Sequence, residues 1–193
     1  MTYFTATELR ARTGGLTASA AGKVLANSAQ TEQNSFDVFL SHSMVDAAAV
    51  LGLMEWLESL GFSVYVDWVV DSELDRSKVD QSTAALLRQR MRQSSTLVYA
   101  TSRAAQASKW MPWELGYFDG IKGQAQVAIC PIETGAMATH FIGQEYLNLY
   151  KALEKLFVNG EPVPYVTANN TTRAQTMASF IAGSGQFEKV KAS

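Results

Sequence analysis

Cysteine is almost missing from this chain: Cys130 is the only one in 193 residues. An internal disulfide is therefore excluded, and with two histidines in all no Cys/His metal cage is expected. Cys130 lies within Val127-Ala128-Ile129-Cys130 and reads as a small buried hydrophobe. Long apolar runs are missing too. Nothing approaches the ~18 consecutive apolar residues that span a bilayer, so no membrane partner is expected. Met1-Thr2-Tyr3-Phe4-Thr5 lacks the basic-then-apolar order of a secretory leader, which makes the reducing cytoplasm the expected compartment. Net charge is close to zero, at −2, and no basic surface advertises nucleic acid as a partner. Neither Gly-x-Gly-x-x-Gly nor a P-loop occurs, so no resident dinucleotide cofactor or nucleoside triphosphate is expected.

What is present describes a globular protein. Hydrophobic residues make up 47% and charged residues 18%, enough for a packed core and against wholesale disorder. The length suits one domain with extensions. Residues 1–35 differ in composition from the rest, with Ala, Ser, Thr, Gly and Gln dominating. Leu16, Ala20, Val24 and Leu25 allow one Ala-rich helix before Ala29. Gly14-Gly15 breaks anything running in from Thr7-Glu8-Leu9. This segment reads as an N-terminal arm, helical or flexible.

From Phe36 the pattern alternates. Phe36-Asp37-Val38-Phe39-Leu40-Ser41 is a short strand ending in small polar residues. Asp46 opens an amphipathic helix through Val50, Leu53, Met54, Leu57 and Leu60, which Gly61 ends. A second strand covers 62–66, an acidic loop 67–80, a helix 81–93 and a third strand 95–100. Pro112 suits the first turn of a helix from Trp110 to about Ile121, and 126–132 is a fourth strand. Glu145-Tyr146-Leu147-Asn148-Leu149 reads as a fifth, edge strand, 150–158 as a short helix and Asn159-Gly160-Glu161-Pro162 as a turn. A last helix is expected from Thr171 to Ala182, with a loose tail after it. Strands joined by helical crossovers imply a parallel sheet covered on both faces. The fold expected is a flavodoxin-like three-layer α/β sandwich around a central parallel five-stranded sheet. It divides into the arm (1–35), a domain (36–158) and a C-terminal extension (159–193). Such sheets bind ligands beyond the C-terminal ends of their strands, where the strand order reverses.

Three segments resemble the Toll/interleukin-receptor (TIR) domain. Phe36-Asp37-Val38-Phe39-Leu40-Ser41-His42-Ser43 is similar to its first strand and loop, with Asp46 opening its first helix. Gly61-Phe62-Ser63-Val64-Tyr65-Val66-Asp67 is similar to its second strand. Ser108-Lys109-Trp110-Met111-Pro112-Trp113-Glu114-Leu115 resembles the family's Ser-x-Trp-Cys-x-x-Glu-Leu motif, with Trp, Glu and Leu in register. Met111 replaces the usual cysteine, and the loop 67–80 lacks the glycine often found there.

The resemblance is to bacterial standalone TIR proteins that cleave the nicotinamide–ribosyl bond of NAD. It implies Glu114 as the catalytic carboxylate and NAD as a substrate consumed, with no cofactor. A fixed carboxylate can stabilise the oxocarbenium character that develops at the ribose. Read from the residues alone, without the resemblance, Glu114 is a solvated carboxylate in a first helical turn, favoured there by the helix dipole.

Phe39, Ser41, His42 and Ser43 would line the cleft at the first strand's end, with Asp67 at the end of the second strand. Trp68 stacks on nicotinamide or adenine, or else covers the core from its loop. His42 hydrogen-bonds ribose or phosphate, or is an ordinary polar loop residue. Trp110 is expected to shape the pocket under Glu114, and one of Trp110 and Trp113 to enter the core. Asp67, Asp71, Glu73, Asp75 and Asp80 lack the spacing of an EF-hand, and no metal site is expected. His140 reads as incidental.

The ribosyl cation left by nicotinamide would be captured by water to give ADP-ribose, or by an internal nucleophile to give a cyclic isomer. The resemblance further implies TIR–TIR self-association and a role in anti-phage immune signalling through a separate effector that senses the product. The competing readings are a scaffold that pairs with other TIR domains without catalysis, and a bacterial factor that interferes with a host's TIR signalling.

Overall fold

Apolar residues at every position of Val38-Phe39-Leu40 and Leu97-Val98-Tyr99 fill both faces of their strands, so those strands must lie inside a sheet covered on both sides. The computed structural model bears this out. It describes residues 2–28, 35–66, 81–103, 105, 108–133, 144–168 and 172–189. The strands are β1 (Phe4–Thr5), β2 (Phe36–Ser41), β3 (Val64–Val66), β4 (Ser94–Thr101), β5 (Val127–Glu133), β6 (Lys151–Val158), β7 (Glu161–Thr167), β8 (Arg173–Thr176) and β9 (Glu188–Lys189). The helices are α1 (Ala6–Arg12), α2 (Ala18–Ser28), α3 (Ala47–Ser59), α4 (Gln81–Gln93), α5 (Trp110–Lys122) and α6 (Met177–Ile181).

The central part of the sheet runs β3-β2-β4-β5-β6, and every pair within it is parallel. In order of appearance those five strands are arranged 2-1-3-4-5, the flavodoxin-like order expected from the alternation. Strands β7, β8 and β9 then extend the sheet antiparallel. Helices α4 and α5 pack on one face; α3 packs on the other, with α1 and α2 laid over it.

That second layer explains the composition of α3. Its residues from Ala47 to Met54, together with Trp56 and Leu57, are all buried. A helix apolar all round has to be covered on its outer side as well as its inner one, and the chain before residue 29 supplies the cover. Thr5 caps α1, accepting from the Glu8 backbone N–H at 3.2 Å while its hydroxyl donates to the Glu8 carboxylate at 3.0 Å. Gly14 and Gly15 end the turn at positive φ, 63° and 75°, as the glycine pair suggested. Phe4 pairs alongside Ile132 at the end of β5 and is 1% exposed. Of the two states expected for the arm, helix is the one found at 6–12 and 18–28.

Three expectations are corrected. Glu145–Leu149 is a 3₁₀ segment, not an edge strand. Lys151–Val158, expected as a helix, is β6. Tyr150, Leu153 and Phe157 have helical spacing, but β5 offers an open edge on one side and β7 a hairpin partner on the other, and that pairing overrides local preference. The Asn159-Gly160 turn between β6 and β7, with φ of 53° and 86°, is the hairpin signal that accompanies it. Third, the helix expected from Thr171 begins only at Met177; Arg173–Thr176 is β8, and Thr176 caps α6 by accepting from Ser179 N–H at 3.1 Å.

Candidate active site

Register across the sheet assembles the centre. Phe39 pairs with Tyr65 and Leu97, and Ser41 with Tyr99. In parallel strands paired residues share a face, and so do residues two apart. Phe39, Ser41, Tyr65 and Tyr99 therefore lie on one side of the sheet, the side that carries α5. Between β2 and β4 the chain reverses its direction of travel across the sheet, since β3 was laid to one side of β2 and β4 to the other. Ligand crevices in such sheets open beyond the strand ends at that point.

Glu114 enters this crevice from α5. The buried residues of that helix are Met111, Glu114, Leu115 and Phe118, one stripe at spacings of three and four. A carboxylate thus occupies a core-facing position, and it is 0% exposed. The solvated-helix reading of Glu114 does not hold. Ser41, itself fully buried, donates its hydroxyl to Glu114 Oε2 at 2.5 Å across 73 residues of sequence. Burying a carboxylate is costly without such donors, and its retention in a core stripe marks a group kept for more than packing. Ser108 fixes the start of the helix by accepting from the Met111 N–H at 3.4 Å, which sets the depth at which Glu114 projects. Met111, in the place of the motif's cysteine, is fully buried and serves as core.

His42 and Ser43 follow directly and are also buried. Phe39 is wholly buried, stacked on Tyr65 with ring centroids 5.3 Å apart, so it builds the wall beneath Ser41. Trp110 stands one turn before Glu114 and is half-buried. It meets Trp113 edge-on at 5.4 Å, and Trp113 stacks on Tyr117 at 5.8 Å beneath the Arg88 guanidinium. Neither tryptophan enters the core fully; both pack against it from outside. Asp67, Trp68, the other loop acids and His140 lie outside the described residues.

Five residues in and around the centre were not picked out as site residues. Tyr99 is buried at the end of β4, and its phenol is held well above the ordinary range by burial, with Tyr146 as hydrogen-bond partner and the Glu114 charge adding to the effect. Tyr146 stands at the edge of this group, on the 3₁₀ segment before β6. Its neighbour Tyr150 donates to Asp119 at 2.9 Å, and burial with that bond pushes its phenol up to about 12. Asp46, read only as a helix opener, makes no side-chain cap. Its carboxylate instead accepts from Ser102 at 2.7 Å, tying the loop after β2 to the loop after β4. A phenol closing an apolar strand was the one signal for Tyr99; nothing local marks Ser102.

Burial raises the Asp46 pKa above its ordinary 3.8, against the Ser102 hydrogen bond and the charges of His42 and Arg10. A carboxylate with a raised folded pKa costs stability while ionised, and the cost disappears as pH falls through that value to the ordinary range. Asp46→Asn keeps an acceptor for Ser102 and removes the charge. It should therefore be more stable than the parent in urea at pH 7, with the advantage shrinking toward pH 4. An advantage that is absent at pH 7, or that grows on acidification, overturns this account.

Comparison with known proteins gives the decisive observation: the TIR domain family matches residues 38–152, more than half of the chain. The chain belongs to the TIR domain family. This TIR domain is 52% identical over 120 residues to a Bacillus cereus (strain MSX-D12) protein named as a probable 3' cyclic ADP-D-ribose synthase, ThsB'; the match covers 62% of this chain and 61% of that protein. It is 34% identical over 83 residues to TIR2 of Cytobacillus dafuensis, whose name assigns it provisionally as a cyclic ADP-D-ribose synthase, with 42% of this chain and 22% of that protein covered. The TIR domain thus spans about three-fifths of the first relative's length and about a fifth of the second's. Among the described residues no helix is long and apolar enough to cross a membrane.

Proposed function

We propose that this TIR domain cleaves NAD+ at the nicotinamide–ribosyl bond, with Glu114 as the catalytic carboxylate. The observation that carries the proposal is the buried Glu114 carboxylate, oriented by the Ser41 hydroxyl at 2.5 Å at the point where parallel sheets hold ligands. Such a group suits a reaction whose charge develops positively. The bond from ribose C1′ to the pyridine nitrogen breaks, and its electron pair leaves with nicotinamide, which departs neutral. Positive charge grows on the ribose ring, and a desolvated carboxylate opposes it more strongly than it would in water.

Capture decides the product. Water gives ADP-ribose and one proton; a nucleophilic atom within ADP-ribose itself gives a cyclic isomer and the same proton. The names of both relatives favour cyclisation. The closed, water-poor surroundings of Glu114, Tyr99 and Ser41 favour it also, since an internal nucleophile needs no water admitted. Product release into the cytoplasm as an anti-phage immune signal, read by a separate effector, is the biological role we infer.

The test is direct. The purified protein is incubated with NAD+ across a range of protein concentrations, and nicotinamide and the second product are followed by chromatography. Nicotinamide should appear in equal amount with a cyclic ADP-ribose isomer. Open ADP-ribose as the only partner would keep the cleavage and reject cyclisation. No release at any concentration would move the assignment to a TIR scaffold that acts by self-association.

A further inference from the structure

A second ligand site lies away from Glu114. Between α1, β1 and the β6–β7 hairpin is a cavity of about 420 Å³ with nine lining residues, within the range of small-molecule sites. It shares no lining residue with the Ser41–Glu114 centre. Only Trp56, among the nine, falls within the residues that match the TIR family. The site is thus a product of what this chain adds before and after its family segment.

The walls are aromatic. Phe4 meets Trp56 edge-on, with centroids 5.2 Å apart, and Phe157 closes one side while remaining 57% exposed. An exposed ring that continues the cavity's aromatic wall offers apolar area to a bound ring. Three charged side chains reach the cavity. Lys155 and Glu8 pair with each other, and the Lys155 ammonium also lies over the Phe4 ring at 5.3 Å, so those two charges are already answered. Arg12 is different. Its guanidinium lies over the Trp56 ring, 5.5 Å from the centroid, and among the described residues no carboxylate pairs with it.

From this we infer that the cavity binds a planar aromatic molecule carrying a single anionic group, with the ring against Phe157 and the anion on Arg12. Two cations against one carboxylate leave one net positive charge on the lining, which matches one carboxylate, sulfonate or phosphate monoester and not a diphosphate. A guanidinium already stacked on a tryptophan keeps its N–H edge free to bind an oxyanion in the plane. The ring gains apolar contact that Phe157 now lacks. Ligand bound here would bridge α1 to the hairpin and so hold the N-terminal segment against the sheet. The proposal does not depend on the reaction at Glu114.

Two fluorescent probes separate its parts: anilinonaphthalene sulfonate, an aromatic monoanion, and phenylnaphthylamine, its uncharged counterpart. The intact protein should bind one equivalent of each. Arg12→Gln should weaken the sulfonate by roughly tenfold and leave the amine unchanged. Phe157→Ser, at an exposed ring, should weaken both probes without moving the unfolding temperature. Equal sulfonate affinity in Arg12→Gln and the parent would overturn the anion assignment. Binding of several equivalents, indifferent to Phe157→Ser, would show a diffuse apolar surface and reject the site.

Discussion

Glu114→Gln should release nicotinamide from NAD+ roughly a hundredfold or more slowly than the parent, a loss of about 3–4 kcal/mol of transition-state stabilisation. The substitution is chosen for what it leaves alone. Glutamine has the same shape, and its amide oxygen can still accept from the Ser41 hydroxyl, so the core stripe of Met111, Leu115 and Phe118 keeps its packing. Removing a buried negative charge relieves a desolvation cost, so the variant should unfold at the parent's temperature or above. Loss of rate with unchanged or higher stability is the pattern of a charge held for chemistry. A variant that unfolds early and loses rate only in proportion to its folded fraction would make Glu114 structural, and one that cleaves NAD+ at the parent's rate would remove it from the reaction.

Gly52→Ala is the second large effect, and it tests the fold. A methyl group at Gly52 would stand 2.0 Å from the Leu9 carbonyl oxygen and 2.7 Å from its carbon. Backbone cannot rotate away as a side chain can, so α1 has to move off α3. Overpacking of this kind costs about 1–3 kcal/mol, and in a chain of this size the unfolding temperature should fall by roughly 2–12 °C. The same change at Gly116 or Gly120 supplies the contrast, because among the described residues no atom beyond the neighbouring residues and the helix's own backbone lies within 4 Å of either new methyl. There alanine should stabilise α5 by about 0.5–1 kcal/mol through backbone entropy. If all three variants shift alike, α1 does not sit on Gly52 as described.

The parts of this architecture that were legible in sequence are those set by local rules. β2, α3, α4, β4, α5 and β5 each carry their own periodicity and stops, and their order alone implied the parallel sheet. Glu114 was legible through Trp110 and Leu115 in register around it. Its burial was not, because a helix start such as Lys109-Trp110-Met111-Pro112-Trp113 does not say which face the sheet will take. Ser41 and Tyr99 become neighbours only through the β2–β4 register, and Asp46 meets Ser102 across 56 residues. β6 was misread because its strand character comes from β5 and β7. The covering layer over α3 did leave a trace: Ala47-Ala48-Ala49-Val50-Leu51-Gly52-Leu53-Met54 has no polar side. That pattern asks for a second partner, without naming residues 4–28 as the partner.

The Leu9–Gly52 contact also bears on how this protein can be moved between hosts or joined to others. The stretch recognisable by descent, 38–152, stops two residues into β6 and leaves behind the helices that keep α3 dry. Someone cloning that stretch as a portable cassette would carry away Ser41 and Glu114 with one flank greasy and one sheet margin torn open. The family segment here is smaller than what packs together, and a graft should be cut to the larger outline.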